Sequence, residues 1–211
     1  ERRVLRMIYR KAKHSEAVKI AELLSESFQD YPLFEMIFDK KVSPALLFDL
    51  NLINVKAHLQ KETCHIGIHE DNIVSVALLK ERRDKEISLI DYIRFGGIRL
   101  TFKIGIKRAS HLIKTMKEMK NRINTEFKEF WYLDTFAVSS KVQGQRIGSK
   151  MIQDYLLPYI KKHGGGKVAL NTQTTLNDKF YRRNGFTMFY EDRLTIDTFS
   201  VPNYNFIKMI N

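Results

Sequence analysis

Phe130-Trp131-Tyr132-Leu133-Asp134-Thr135-Phe136-Ala137-Val138 runs directly into Ser139-Ser140-Lys141-Val142-Gln143-Gly144-Gln145-Arg146-Ile147-Gly148. The first half is an apolar strand pattern and the second a short polar turn. Ile147, Met151, Ile152, Tyr155, Leu156 and Tyr159 then recur at helical spacing. The stretch therefore predicts strand 130–138, a turn, and a helix over 146–162. A small-residue turn at a helix start exposes backbone N–H groups at the positive end of the helix dipole, which suits a phosphate. Two spaced glycines are a weak signal alone; the strand before and the helix after strengthen it.

Downstream, Gly164-Gly165-Gly166 supplies the left-handed backbone that stops this helix, and Lys161, Lys162 and His163 suit its negative end. A strand at 167–172 follows, then a helix at 175–184 carrying Asn177-Asp178-Lys179-Phe180-Tyr181-Arg182-Arg183-Asn184-Gly185-Phe186. The tail from Gly185 reads as strands broken near Pro202. Upstream, Val4 to Tyr9 reads as a strand. Ser15 is the expected cap of a helix whose buried stripe is Ala17, Ile20, Ala21, Leu24 and Phe28. Pro32 breaks the chain after Gln29-Asp30-Tyr31. A second helix is expected over Pro44 to Lys61, then a hairpin of Cys64–His69 and Ile73–Lys80 about Glu70-Asp71-Asn72. Residues 81–129 are too long for a simple connection: Ser88 to Phe95, a Gly96-Gly97 break, another apolar stretch and a helix from about Lys107 to Phe127. Strands and helices mixed in this order give a layered α/β fold with one sheet.

The 211 residues suffice for one well-buried domain, and no Pro/Gly/Ser-rich linker divides them. The single cysteine excludes an internal disulfide, and no Cys-x-x-Cys or helical His-x-x-x-His suggests zinc. His65 and His69 would share a strand face and are expected to be solvated. Cys64 and His65, adjacent on a strand, point to opposite faces and cannot form a nucleophile pair. No run of about 18 apolar residues exists, so neither a membrane span nor a membrane partner is expected, and a reducing cytoplasmic setting is the default. The formal net charge is +12. Its basic residues are dispersed, and Lys114, Lys117, Lys120 and Arg122 read as the solvated face of an amphipathic helix. No nucleic-acid motif accompanies them, so nucleic acid is not the expected partner. The charge does favour a cofactor with several phosphates.

The two blocks, Gln143 to Gly148 and Asn177 to Phe186, together resemble the Gcn5-related N-acetyltransferases (GNAT), which move an acetyl group from acetyl-coenzyme A to an amine. That family's first block reads Gln/Arg-x-x-Gly-x-Gly/Ala after the fourth strand. Gln143 and Gly148 match it, while Arg146 stands where its first glycine belongs. The resemblance is firm over 130–190 and implies a single-domain fold across 1–211. The implied sheet is mixed and mostly antiparallel, with about six to seven strands flanked by helices, and the chain adds a helical insertion at about 81–129. It implies acetyl-CoA as cosubstrate, no metal, direct transfer to a primary amine of a small molecule, and leaves a homodimer open. A non-catalytic acyl-CoA-binding or regulatory module on the same fold is the alternative.

Acyl transfer needs a held thioester, a deprotonated amine and a proton for the departing thiolate. Gln143, Gly144, Gln145, Arg146, Ile147, Gly148 and Ser149 would hold the pyrophosphate through backbone N–H groups, with Gly144 and Gly148 allowing close approach. Arg146 either crowds the turn or reaches a phosphate with its guanidinium. By resemblance, the pantetheine arm pairs with the backbone of Phe136, Ala137 and Val138, and Asn177 contacts cofactor. Tyr181, whose phenol has an unperturbed pKa near ~10, is the expected proton donor to the thiolate. Asp134, the acid within strand 130–138, is the first candidate base or else a structural hydrogen-bond partner. Asp30, Tyr31 and Glu35 are expected around the acceptor. Asn171 falls where relatives carry an acid and is a further acceptor-side candidate.

Overall fold

The computed structural model describes residues 6–39, 41–81 and 87–211. Its strands are β1 Ile8–Lys11, β2 Cys64–His69, β3 Asn72–Lys80, β4 Trp131–Val138, β5 Gly166–Thr172, β6 Thr187–Ile196 and β7 Phe199–Ile210. They form one sheet in the order β1-β2-β3-β4-β5-β7-β6. Every neighbouring pair is antiparallel except β4 and β5. The helices are α1 Ala17–Ser27, α2 Pro32–Phe38, α3 Pro44–Gln60, α4 Leu89–Tyr92, α5 Ile98–Ile104, α6 Ile106–Glu126, α7 Ile147–Lys150, α8 Leu157–Lys162 and α9 Thr175–Arg183.

Strand alternation assigns the two faces. On β3, Val76 and Leu78 meet Ile20, Leu24, Val55 and Leu59 of α1 and α3. Ala77 and Leu79 point the other way, toward Met151, Ile152, Leu156 and Ile160 in the helical run from α7 to α8. Helix α6 shares the first face, packing Ile123 on Tyr132 and Ala169. The result is three layers with the sheet in the middle. Each such aliphatic side chain, fully buried, contributes about 1.5–3 kcal/mol of transfer free energy.

Several elements differ from the sequence expectation. Strand β1 begins at Ile8; Val4 and Leu5, expected in it, lie outside the described residues. Ser15 does not cap α1. It sits inside a short turn over His14–Glu16, where the Glu16 carboxylate accepts from the Lys13 backbone N–H at 2.7 Å and pairs with Arg10 at 2.6 Å. Pro32 opens α2 rather than merely breaking the chain, because the first helical position needs no N–H. Pro202 lies within β7, opposite Arg193 of β6 and past the end of β5, where its missing N–H interrupts no central ladder. The break between β6 and β7 falls instead at Asp197, with φ 50°. His65 is buried, not solvated: its Nδ1 lies 2.9 Å from the Tyr155 hydroxyl and its ring meets Tyr159 edge-on.

Between β3 and β4, the described residues from 89 to 126 are helical almost throughout. Ser88 caps α4, and Gly96 takes φ 118° at the kink before α5. Gly105, with φ 85°, separates α5 from α6. The three helices pack Leu100, Ile104, Ala109 and Met119 against α2, α3 and the β6–β7 turn region.

Candidate active site

The site begins with a failure of pairing. Parallel β4 and β5 are in register only at Trp131–Val168 and Tyr132–Ala169. Beyond those pairs their carboxyl ends diverge, and crevices at that end of adjacent parallel strands are where α/β sheets bind ligands. The point of divergence coincides with a β-bulge. On the β3 side, Leu79 faces Leu133 while Leu78 faces Thr135, so Asp134 is the extra residue. From Leu133 onward, the β4 edge facing β5 has no strand partner among the described residues.

Asp134 is clamped. Its Oδ1 lies 3.0 Å from Lys80 Nζ, its Oδ2 3.6 Å from His58 Nε2, and Thr135 Oγ1 donates to Oδ2 at 3.3 Å. Burial pushes the carboxyl up, but Lys80 and His58 outweigh it and hold the group well below the usual carboxylate range. His58 is fully buried on α3, with Nδ1 2.8 Å from Thr63 Oγ1. Burial lowers its pKa, against the opposing pull of Asp134. The candidate base is thus half of a buried ion pair, and a carboxylate this strongly held ionised is a weak proton acceptor at neutral pH.

Helix α9 brings Asn177 and Tyr181 to the opening on one face, four residues apart as expected. Thr174 caps this helix through the Asn177 backbone N–H. Asn177 Nδ2 donates to Thr172 Oγ1 at 2.9 Å, tying the helix to the end of β5. Tyr181 is 7% exposed, with its ring among Phe180, Phe186 and Phe206. Its hydroxyl makes no hydrogen bond among the described residues and is not one of the sealed, partnerless oxygens. Burial, with Tyr31 nearby, pushes the phenol far up, so it stays protonated at any physiological pH.

Tyr31 reaches the same place from the loop before α2. Its hydroxyl accepts from the Gln173 backbone N–H at 3.0 Å, lies 3.1 Å from Thr172 Oγ1 and donates to Gln173 Oε1 at 3.1 Å. Gln173 Nε2 donates to Asn203 Oδ1 at 3.0 Å and to Asn171 Oδ1 at 3.3 Å. Asn171 Nδ2 in turn donates to the Tyr132 hydroxyl at 2.8 Å and to the Met119 carbonyl at 3.0 Å. Sequence reasoning missed Gln173, Tyr132, Lys80 and His58. Only Gln173, polar at the end of an apolar strand, carried a local signal. Asp30 and Glu35 are not brought in: both are exposed, and Asp30 pairs with Lys41 at 2.7 Å.

At the helix start, Gly144 adopts φ 80° and Arg146 φ 61°, ψ 16°, the left-handed region. Arg146 precedes α7 as its cap residue rather than standing inside the first turn. Lys150 N–H, bonded to the Arg146 carbonyl at 2.9 Å, closes the first helical bond, which leaves the N–H groups of Ile147, Gly148 and Ser149 ahead of it. Gln143 turns back, donating from Nε2 to the Val138 carbonyl at 3.1 Å. Gly148 is tightly packed: a Cβ there would lie 3.2 Å from both Phe180 Cζ and Val138 Cγ2. Phe180 also stacks on Phe136 at 5.9 Å, and Ala137 is buried against α1 and α3. Among the described residues, no group of three or more His, Cys, Asp or Glu could hold a metal ion.

The model of the acetyltransferase (GNAT) domain matches residues 106–201, the segment from α6 to the start of β7 that carries β4, β5, the turn at 143–148 and α9. No curated protein matches the sequence. Solved structures share the fold over almost the full chain. Arylalkylamine N-acetyltransferase 2 from Aedes aegypti aligns with TM-score 0.67 and 14% identity, covering 97% of this chain and 99% of that one. A Corynebacterium glutamicum protein described as histone acetyltransferase HPA2 and related acetyltransferase aligns with TM-score 0.65 and 19% identity, covering 97% of each. Drosophila melanogaster polyamine N-acetyltransferase aligns with TM-score 0.56 and 13% identity, covering 97% and 100%. The family match thus spans the bulged strand, the turn at 143–148 and the helix of Tyr181, and the chain as a whole shares the fold of these acetyltransferase structures.

Proposed function

We propose that the protein transfers an acetyl group from acetyl-CoA to a primary amine of a small molecule, by direct attack without a covalent enzyme intermediate, and that residues 1–211 act as one catalytic domain. One observation carries this reading. A buried tyrosine with an unengaged hydroxyl, Tyr181, stands at the opening where β4 leaves β5, beside a helix start with free N–H groups.

In this reading the pyrophosphate sits on the N–H groups of Gln145 to Ser149, with the Arg146 guanidinium free to reach it. The pantetheine arm pairs with the open edge of Phe136 to Val138, and Asn177 adds a side-chain contact. The amine nitrogen attacks the thioester carbon, the C–S bond breaks, and the Tyr181 hydroxyl gives its proton to the departing sulfur. The amine loses its extra proton to solvent. We assign Asp134 to holding the bulge rather than to proton abstraction, because Lys80 neutralises it and keeps it ionised. Tyr31 and Asn171 border the acceptor, and we leave Asp30 and Glu35 outside it. The arylalkylamine and polyamine acetyltransferases among the similar structures support a small amine as acceptor.

The test is acetyl-CoA-dependent thiol release across arylalkylamines, polyamines, antibiotics and peptides. The expected result is amine-dependent release, with acetyl-CoA alone raising the melting temperature. Binding of acetyl-CoA with only slow amine-independent hydrolysis would favour the non-catalytic acyl-CoA-binding role. No thermal shift at millimolar acetyl-CoA would refute both.

A further inference from the structure

The helical stretch between β3 and β4 exposes an apolar row beside a basic one. Ile98, Phe102 and Ile106 are 55%, 86% and 81% exposed, at a spacing of four, while Leu100 and Ile104 of the same segment are buried. Arg99, Lys103 and Lys107, each one residue further along, form the adjoining row. Helix α4 continues the pattern: Leu89, Ile90 and Ile93 are exposed, and Arg94 follows them. Beyond Asp91 of α4, which lies 4.0 Å from Lys61, charge is one-sided. From Tyr92 to Lys117 there are seven Lys or Arg residues (Arg94, Arg99, Lys103, Lys107, Arg108, Lys114 and Lys117) and no Asp or Glu.

Isolated exposed apolar side chains need no explanation, but a row of large ones does. A covering protein surface would need an apolar face ringed by carboxylates. A bilayer with anionic headgroups offers both features at once: hydrocarbon for Phe102 and Ile106, and phosphate and carboxylate for the guanidinium and ammonium groups. Lys103 and Lys107 already reach Asp49 and Asp197 at 2.6 and 3.4 Å. Arg94, Arg99 and Arg108 make no ion pair among the described residues, so their charge is available to headgroups. The helices of the described residues are too short or too polar to cross a membrane, so the association is peripheral.

We propose that α4, α5 and the start of α6 form a docking face for an anionic membrane surface, with Phe102 and Ile106 entering the acyl boundary and Arg94 and Arg99 at the headgroups. This departs from the expectation of no membrane partner, since the absence of a long apolar run speaks to spanning and not to surface binding. It does not depend on the chemistry assigned to the crevice.

The test is co-sedimentation of the full chain with phosphatidylcholine vesicles, with and without phosphatidylserine. Binding is expected only with phosphatidylserine, and should weaken with salt. Phe102→Ser/Ile106→Ser should reduce it by roughly tenfold or more without lowering the melting temperature, since both side chains are already exposed. Arg94→Gln/Arg99→Gln should reduce it by a similar factor. Absence of binding to phosphatidylserine vesicles overturns the proposal. So does equal binding by the Phe102→Ser/Ile106→Ser variant. A concentration-dependent dimer of the free protein that the same variant abolishes would assign the face to a second copy instead, and would likewise overturn it.

Discussion

Replacing Lys80 by methionine separates the two roles open to Asp134. The substitution keeps most of the aliphatic stem and removes the ammonium 3.0 Å from Oδ1, leaving the carboxylate with the buried His58 imidazole 3.6 Å from Oδ2. Removing one member of a buried pair typically costs about 3–5 kcal/mol, because an uncompensated charge remains. Both side chains here keep 18% exposure, so the lower end applies, about 3 kcal/mol. For a chain of this length that is a fall of roughly 6–12 °C in melting temperature. The double variant Lys80→Met/Asp134→Asn removes both charges together and should recover most of the loss, giving a coupling of at least ~2 kcal/mol in a double-mutant cycle. Thermal and urea unfolding of the four proteins provides the stability arm. Turnover provides the second: if the pair only fixes the bulge, kcat falls in each single variant and returns in the double. A Lys80→Met cost below ~1 kcal/mol would make the contact an ordinary surface pair. An Asp134→Asn defect that Lys80→Met leaves untouched would restore Asp134 as the base.

Acid should destabilise the fold through His65, whose pKa burial, helped by nearby Lys11 and His163, lowers from 6.5 to about 3. A depressed histidine stabilises the fold above its unfolded pKa and loses that contribution as pH falls below it. Between pH 7 and ~4.5 the loss should be roughly 2.5 kcal/mol, and His65→Gln should flatten the slope by up to ~1.4 kcal/mol per pH unit. A His65 ring resonance titrating near 6.5 in the folded protein would contradict this. Tyr181→Phe should lower kcat by about 10²-fold or more at nearly unchanged stability and acetyl-CoA affinity, since its hydroxyl has no hydrogen-bond partner to lose among the described residues; unchanged kcat would make it a packing residue. Arg146→Gly relieves a left-handed residue costing about 1–2 kcal/mol but frees the unfolded backbone by about 0.5–1 kcal/mol, so unfolding should move by less than ~1 kcal/mol. Acetyl-CoA affinity should still fall and become less sensitive to salt; tighter binding at both low and high salt would show that Arg146 crowds the turn.

Local order was legible in the sequence wherever a neighbour in the chain supplies the cause. The strand at 130–138, the helix that follows it and the Gly164-Gly165-Gly166 stop, each glycine at positive φ, are set by side-chain period and backbone sterics. So was the shared face of Asn177 and Tyr181, which helical spacing alone dictates. What the crevice does was not legible, because its parts meet across long stretches of chain. Lys80 finds Asp134 over 54 residues, and Tyr31 finds Gln173 over 142. A period tells which way a side chain points but not what stands opposite, so Asp134 read as a free acid when the register of β3 and the bulge supply it with an ammonium. His65 read as solvated because alternation does not reveal that Tyr155 and Tyr159 cover its face, and Pro202 read as a break because only β7's overhang beyond β5 makes it harmless. The parting of β4 from β5 belongs to neither strand's sequence: it coincides with the bulge in the assembled sheet, where pairing depends on residues far apart in the chain, and the opening it leaves is the candidate site.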